Sequence, residues 1–97
     1  MAAGDWKEML IAAENGDLEL VRYHIKHGED PNYQHPEFLT TPLIESAQRG
    51  HVEVVKFLLE HGANPQIKSE FGGETPLDVA KAYKRPKVVS LLKKYLI

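Results

Sequence analysis

Histidines are the side chains of this sequence that most readily suggest metal chemistry. His24 and His27 lie three residues apart, which places both on one face of a helix, and His61 repeats the position of His27 34 residues later. A zinc ion holds its imidazole ligands at about 2.0–2.1 Å. Helices that pack side by side are roughly 10 Å apart, so equivalent positions on neighbouring helices are too distant to share one ion. We therefore interpret the histidines as surface or structural residues and predict neither a metal nor a cofactor.

The other reactive side chains form no recognisable catalytic motif. The Gly-x-Ser-x-Gly motif surrounds none of the three serines, and Gly72-Gly73 precedes Glu74 where a phosphate-binding loop would have Lys-Ser or Lys-Thr. The adjacent acids Glu29 and Asp30 follow a predicted helix, where we expect them to bond local backbone amides rather than act as an acid–base pair. The absence of cysteine excludes disulfides and thiolate chemistry. The sequence predicts no catalytic residues and no enzyme.

Composition is that of one small globular domain. The chain has 97 residues, of which 42% are hydrophobic and 27% are charged, values close to the average for folded proteins. The sequence contains no apolar run of the roughly 20 residues that a membrane span needs, and its first residues lack the pattern of a secretion signal. We expect an intracellular protein, cytoplasmic or nuclear, that is monomeric and does not enter a membrane.

Charge is distributed unevenly along the chain. Residues 1–30 carry seven acids and three bases, residues 31–74 carry six acids and three bases, and residues 75–97 carry one acid and six bases. The basic end leaves open an electrostatic function, in which the last segment binds nucleic acid or another acidic polymer. The acidic remainder of the chain argues against nucleic acid. The basic residues are also explained as cations near the end of a final helix, where they complement its dipole.

The sequence repeats itself with a period of 34 residues. Seven positions of the first unit are identical in the second, namely Ala13, Gly16, Glu19, Val21, His27, Gly28 and Pro31. Six positions of the second unit are identical in the third, namely Thr41, Pro42, Leu43, Val54, Val55 and Leu58. A period of this length indicates stacked supersecondary units. We predict one domain over residues 1–97, with repeats at about 5–39, 40–73 and 74–97.

Each repeat has the signals of two short helices followed by a loop. In the second repeat, Thr41 and Pro42 form a typical helix start, and Gly50 ends that helix in an expected left-handed conformation. An amphipathic helix follows at 52–60. The corresponding helices of the other repeats are predicted at 5–15, 18–27, 76–83 and 86–95. Helices this short are marginal alone in water, so the repeats must bury their apolar faces against one another.

Residues 41–65 resemble an ankyrin repeat, with its Thr-Pro-Leu start, Gly-His turn, Val-Val pair and Leu-rich second helix. Several positions depart from the family pattern. Ile44 and Asp78 stand where the motif has histidine, and Lys84 replaces the glycine of the helix stop. His24 occupies the apolar position of Leu58 and Leu92, and we expect its side chain to be partly exposed. The loop over residues 33–40 lacks the glycine of the second loop, so we expect its hairpin to be irregular.

The resemblance implies an all-α solenoid of three stacked helix-turn-helix units with hairpin-like loops. It also implies a non-enzymatic module that binds another protein through a concave face formed by the loops and the first helices. The candidate contact residues, transferred by register, are Trp6, Phe38, Thr40, Gln48, Arg49, Lys68, Glu70, Phe71 and Tyr83.

The aromatic candidates keep a structural alternative. Phe38 and Phe71 either anchor a partner or fold under their own loops, since aromatic and arginine side chains dominate interface energies but also fill small cores. Trp6 shares a helical face with Met9 and Leu10, which favours packing. Tyr83 could equally cover the end of the third repeat.

Overall fold

The computed structural model describes residues 5–96, which form helices connected by turns and loops, without a strand. The six helices of this part of the chain are α1 (Asp5–Asn15), α2 (Leu18–Lys26), α3 (Pro42–Arg49), α4 (Val52–Glu60), α5 (Pro76–Ala82) and α6 (Pro86–Leu96). The prediction of an all-α fold is confirmed, and the predicted helix ends differ from the observed ones by at most one residue. Within residues 5–96, every helix is too short or too polar to cross a bilayer. The exact repeat boundaries stay a prediction.

The first helices of the second and third repeats begin as their Thr-Pro sequences predict. Thr41 Oγ1 accepts a hydrogen bond from the Ile44 amide at 3.3 Å, and Thr75 Oγ1 accepts one from the Asp78 amide at 3.1 Å. Asp78 returns the bond, because its Oδ2 accepts from the Thr75 amide at 3.0 Å. These bonds to Thr75 lower the pKa of Asp78. Asp78 thus completes a capping box where the family motif has histidine, whereas Ile44 is simply buried in the core.

The first helices end at three equivalent positions with left-handed backbone. Gly16, Gly50 and Lys84 have φ angles of 75°, 76° and 57°, which confirms the conformation predicted for Gly50. A Cβ on Gly16 would lie 2.7 Å from His51 Nδ1, and a Cβ on Gly50 would lie 2.8 Å from Arg85 Cδ. Glycine is therefore favoured at both positions by its backbone conformation, and a side chain there would also displace His51 or Arg85. Lys84 belongs to the third repeat, which no further described repeat covers, so its side chain has room.

The helices stack in two rows. Helices α1, α3 and α5 pack in sequence order in one row, and α2, α4 and α6 pack in the other. The apolar stripe of the second row is fully buried, with Val21, Val55, Leu58, Val88 and Leu92 each 0% exposed. Burial of these side chains between neighbouring repeats supplies the core that no single helix pair could form.

The two long loops are joined by hydrogen bonds. Asn32 of the first loop donates from Nδ2 to the Gly62 carbonyl at 3.0 Å and accepts from the Asn64 amide at 2.7 Å. Further along, the amide of Glu70 donates to the carbonyl of Leu39 at 3.0 Å. Leu39 has a φ of 60°, close to the 74° of Gly73 at the equivalent position of the second loop. The first loop therefore takes at a leucine the left-handed backbone that the second loop takes at its glycine.

The expectation of a partly exposed His24 is wrong. Its side chain extends from α2 to contact α1, and the residue is only 4% exposed. The imidazole Nε2 lies 2.7 Å from Glu8 Oε1, which explains how a polar ring is accommodated in the apolar position of Leu58 and Leu92.

Candidate protein-binding groove

A groove of about 370 Å³ lies between the two long loops and the helices α3 and α5. We call it the inter-loop groove. Its lining combines aromatic, apolar, polar and acidic side chains, namely Phe38, Leu39, Thr40, Ile44, Glu45, Gln48, Ser69, Phe71, Glu74, Val79 and Tyr83. The structure thus brings together Phe38, Thr40, Gln48, Phe71 and Tyr83 of the nine residues predicted from the sequence.

Phe71 and Tyr83 project from the walls of the groove. Phe71 is 87% exposed and Tyr83 is 52% exposed, so neither side chain is folded into the core. The backbone that carries Phe71 is fixed, because Ser69 Oγ accepts a hydrogen bond from the Phe71 amide at 3.1 Å and Ser69 itself is buried. A large apolar side chain held in water on an ordered turn is available for contact with another molecule.

Phe38 and Trp6 belong to an aromatic cluster that ties α1 to the first loop. The Trp6 ring stacks on His35 at a centroid distance of 4.2 Å and meets Phe38 edge to face at 5.3 Å. The Lys7 ammonium lies 5.5 Å from the centre of the Phe38 ring. Trp6 is therefore mainly a packing residue. Phe38 packs against Trp6 in this cluster and also forms part of the lining of the inter-loop groove.

Glu45 lies at the base of the groove and was missed by the sequence prediction. Its Oε2 accepts a hydrogen bond from Thr40 Oγ1 at 3.0 Å. Burial raises the pKa of Glu45 above its ordinary value, and the nearby charge of Glu14 adds to the effect. A signal was available, because in the 34-residue register Glu45 stands where the neighbouring repeats have Ile11 and Val79. An acid at an otherwise apolar register position indicates a half-buried charge.

The remaining predicted residues lie beside the groove rather than in its lining. Arg49 is exposed at the end of α3, where its Nη2 lies 3.7 Å from Glu14 Oε1. Lys68 and Glu70 have exposed side chains, while their backbone groups join the loops: the Lys68 carbonyl accepts from Gln34 Nε2 at 3.1 Å. These side chains can contact only a ligand that extends beyond the residues lining the inter-loop groove.

The basic end of the chain is partly used for packing. Arg85 is half-buried, and its Nε donates a hydrogen bond to the Gln48 carbonyl at 2.9 Å. Lys81 and Lys84 are exposed near it, whereas Lys93 and Lys94 lie in the last turn of α6. Lys81, Lys84 and Arg85 line one concavity and Lys84, Arg85 and Lys87 line another, and the lining of each is without an aromatic side chain on which a base could stack.

Comparison with known proteins agrees with this architecture. A family model of ankyrin repeats matches residues 9–96 in three copies. A search of curated proteins found no significant match. Ankyrin repeats are generally protein–protein interaction modules without enzymatic activity.

Proposed function

We propose that this chain, which belongs to the ankyrin-repeat family, is a non-enzymatic module that binds another protein through the inter-loop groove. The observation that carries the proposal is the exposure of Phe71, 87%, at the edge of a concavity that Phe38 and Tyr83 also line. Aromatic side chains around a pocket are the typical anchors of protein interfaces. Arg49, Lys68 and Glu70 would contact a partner at the rim.

The charge of the groove favours a basic segment of the partner. Glu45 and Glu74 are the charged side chains in the lining, and both are acids. Glu45 is half-buried and its pKa is raised by that burial, so a cation placed beside it would stabilise its ionised form. The rings of Phe71 and Tyr83 offer faces for a cation–π contact. A lysine or arginine next to an apolar residue fits this combination of groups.

Rigidity supports the proposal. The first loop is fixed to the second by the Asn32 and Gln34 side chains, which span 30 to 34 residues of sequence. Binding would therefore not require these loops to become ordered, and less conformational entropy would be lost on association.

The test is selection from a random-peptide display library against the wild-type protein, followed by affinity measurement of the recovered peptides. We expect peptides that contain a lysine or arginine beside an apolar residue. Their affinity should fall at least tenfold for Phe71→Ala and for Tyr83→Ala. The matched control is Tyr23→Ala, since Tyr23 is 53% exposed like Tyr83 but lies on α2, away from the groove.

Two results would contradict the proposal. One is that the recovered peptides bind the Phe71→Ala and Tyr83→Ala variants as tightly as the wild type. The other is that the chain binds an acidic polymer with an affinity that falls steeply with salt and is lost on charge reversal of Lys81 and Lys84. That second result would favour the electrostatic function of the basic end. The monomeric state and the intracellular location of the protein stay predictions.

A further inference from the structure

A cluster of potential metal ligands lies in the first repeat, away from the inter-loop groove. Because α1 and α2 pack as an antiparallel pair, the start of α1 meets the end of α2. Asp5 comes from the start of α1, His24 from the last turn of α2, and Glu29 from the loop that follows. One ligand atom from each of the three residues lies within 4.8 Å of the other two.

The burial of His24 places an imidazole where the other repeats bury a leucine. The equivalent residues Leu58 and Leu92 are 0% exposed, and His24 is 4% exposed. Glu8 Oε1 lies 2.7 Å from the Nε2 atom of His24. A carboxylate on one ring nitrogen is the arrangement that fixes a histidine for metal binding through its other nitrogen. Here that nitrogen is Nδ1.

Glu29 supplies a second and independent observation. Its Oε2 atom is buried and has no hydrogen-bond partner among the described residues. Leaving a carboxylate oxygen out of water and unpaired is unfavourable unless a cation compensates. Among residues 5–96, no lysine or arginine forms an ion pair with Asp5, Glu8 or Glu29. The sequence prediction that Glu29 bonds a local amide therefore fails for this oxygen, whereas Asp30 does accept from the Asn32 amide at 2.8 Å.

We propose that Asp5, His24 and Glu29 bind a divalent transition-metal ion of the zinc type, with Glu8 orienting the imidazole. One imidazole and two carboxylates suit such an ion, whereas magnesium and calcium prefer ligands that are all oxygen. Metal–ligand bonds of about 2.0–2.2 Å place ligand atoms roughly 3.4 Å apart. Ligand atoms that lie within 4.8 Å of one another are close enough to reach this spacing by small side-chain adjustments, and the fourth coordination position stays open to water.

The ion would act as a structural clamp. It would join the first turn of α1 to the exit of α2, in the repeat that, within residues 5–96, packs against the second repeat alone. Equivalent histidines on successive repeats are too far apart to share one ion. Within the first repeat, however, His24 lies against acids from two other segments.

The test uses zinc chloride as the probe, with calorimetric titration and thermal unfolding of the full chain. We expect one zinc ion per chain and a thermal midpoint that rises by about 6–11 °C when free zinc exceeds Kd tenfold. Magnesium chloride should produce neither effect. Both effects should be lost in Glu29→Gln and in His24→Leu. The second variant places at position 24 the residue that the other repeats have, so it should fold without metal, as circular dichroism can verify.

Matched controls separate this site from adventitious binding. Glu19→Gln removes an exposed acid of α2, and His27→Gln removes the neighbouring exposed histidine. Both variants should bind zinc as the wild type does. The proposal is overturned if zinc fails to bind stoichiometrically, if binding persists in His24→Leu and Glu29→Gln, or if it is lost in either control variant.

Discussion

Arg85 donates a hydrogen bond from Nε to the carbonyl oxygen of Gln48 at 2.9 Å. The contact recurs one repeat earlier, where His51 Nε2 lies 2.9 Å from the carbonyl oxygen of Glu14. In both cases the residue that follows a helix stop reaches the end of the first helix in the preceding repeat. The bond satisfies a carbonyl that the helix end leaves without an intrahelical partner, and it fastens one repeat to the next.

The Arg85 side chain occupies the space that a Cβ on Gly50 would need, so a substitution at Gly50 should lower the free energy of unfolding. A Cβ there would displace Arg85, whereas a Cβ on Gly73, whose φ of 74° nearly equals the 76° of Gly50, meets nothing within 4 Å. Gly73→Ala should lower the free energy of unfolding by about 1–2 kcal/mol, because alanine is strained in the left-handed conformation. Gly50→Ala should lose about 0.5–1.5 kcal/mol more, for the disturbed hydrogen bond. Gly50→Val should lower the free energy of unfolding further than Gly50→Ala does.

Urea unfolding of the alanine variants Gly50→Ala and Gly73→Ala measures the difference. Equal losses of unfolding free energy would show that the Arg85 contact contributes nothing to stability.

The two loop phenylalanines should differ in their effect on stability. Phe71 is 87% exposed, so Phe71→Ala should change the free energy of unfolding by less than about 0.5 kcal/mol. Phe38 meets the Trp6 ring edge to face at 5.3 Å, so Phe38→Ala should lose about 0.5–1.5 kcal/mol from the aromatic pair. Thermal and urea unfolding of both variants provide the measurement. A large loss for Phe71→Ala would mean that this ring packs against the protein in solution.

The charge of Glu45 should weaken the fold at neutral pH. Its pKa is raised in the folded protein, chiefly by burial. A carboxyl with a raised pKa stabilises the fold while it is protonated, and this contribution is lost as the pH rises through the folded pKa. Glutamine resembles the protonated form. Glu45→Gln should therefore raise the thermal midpoint at pH 7, and the gain should shrink as the pH falls through the raised folded pKa and vanish below the ordinary glutamate pKa of about 4.3.

The exposed Glu53 of α4 gives the control for this titration. Glu53→Gln should alter the midpoint little at either pH, since that side chain lies in water. A midpoint for Glu45→Gln that equals or falls below the wild-type value at pH 7 would contradict the prediction.

Leu58 should be among the residues on which stability depends most. Its side chain is 0% exposed in the second row of helices, so Leu58→Ala should lose about 2–5 kcal/mol through the cavity that it creates. This loss is a large fraction of the total free energy of unfolding, which is of order 5–15 kcal/mol for a typical domain. Ile11 is the matched aliphatic control, because it is 44% exposed and Ile11→Ala should lose far less. Denaturant midpoints that shift equally in the two variants would place Leu58 outside the core.

The sequence was sufficient for the elements of this fold because their signals are local. A Thr-Pro pair favours the start of a helix and a glycine favours its end, and the 34-residue register shows which residues occupy equivalent places. The groove residues Phe38 and Phe71 show the limit of this reasoning. Both are loop phenylalanines, but they are offset by one position in the register, and only the folded loops reveal that Phe38 reaches Trp6 while Phe71 reaches water.

Two of the side chains that sequence reasoning placed wrongly or missed break the apolar register. His24 stands among leucines, and Glu45 stands between an isoleucine and a valine in the equivalent positions. Each is buried or half-buried because a second element covers it. The residue type indicated that each position is unusual. Their hydrogen-bond partners, Glu8 and Thr40, depend on how the helices and loops pack.

Within the described residues 5–96, the hydrogen bonds that join neighbouring repeats all span 30 to 37 residues of sequence. No such bond has to close a longer stretch of chain, so the search for native partners is short and the topology favours rapid folding. Order can spread outward from one docked pair of repeats. The central helices α3 and α4 have packed neighbours on two sides, so their amide protons should exchange with solvent most slowly, and those of the other helices should exchange faster.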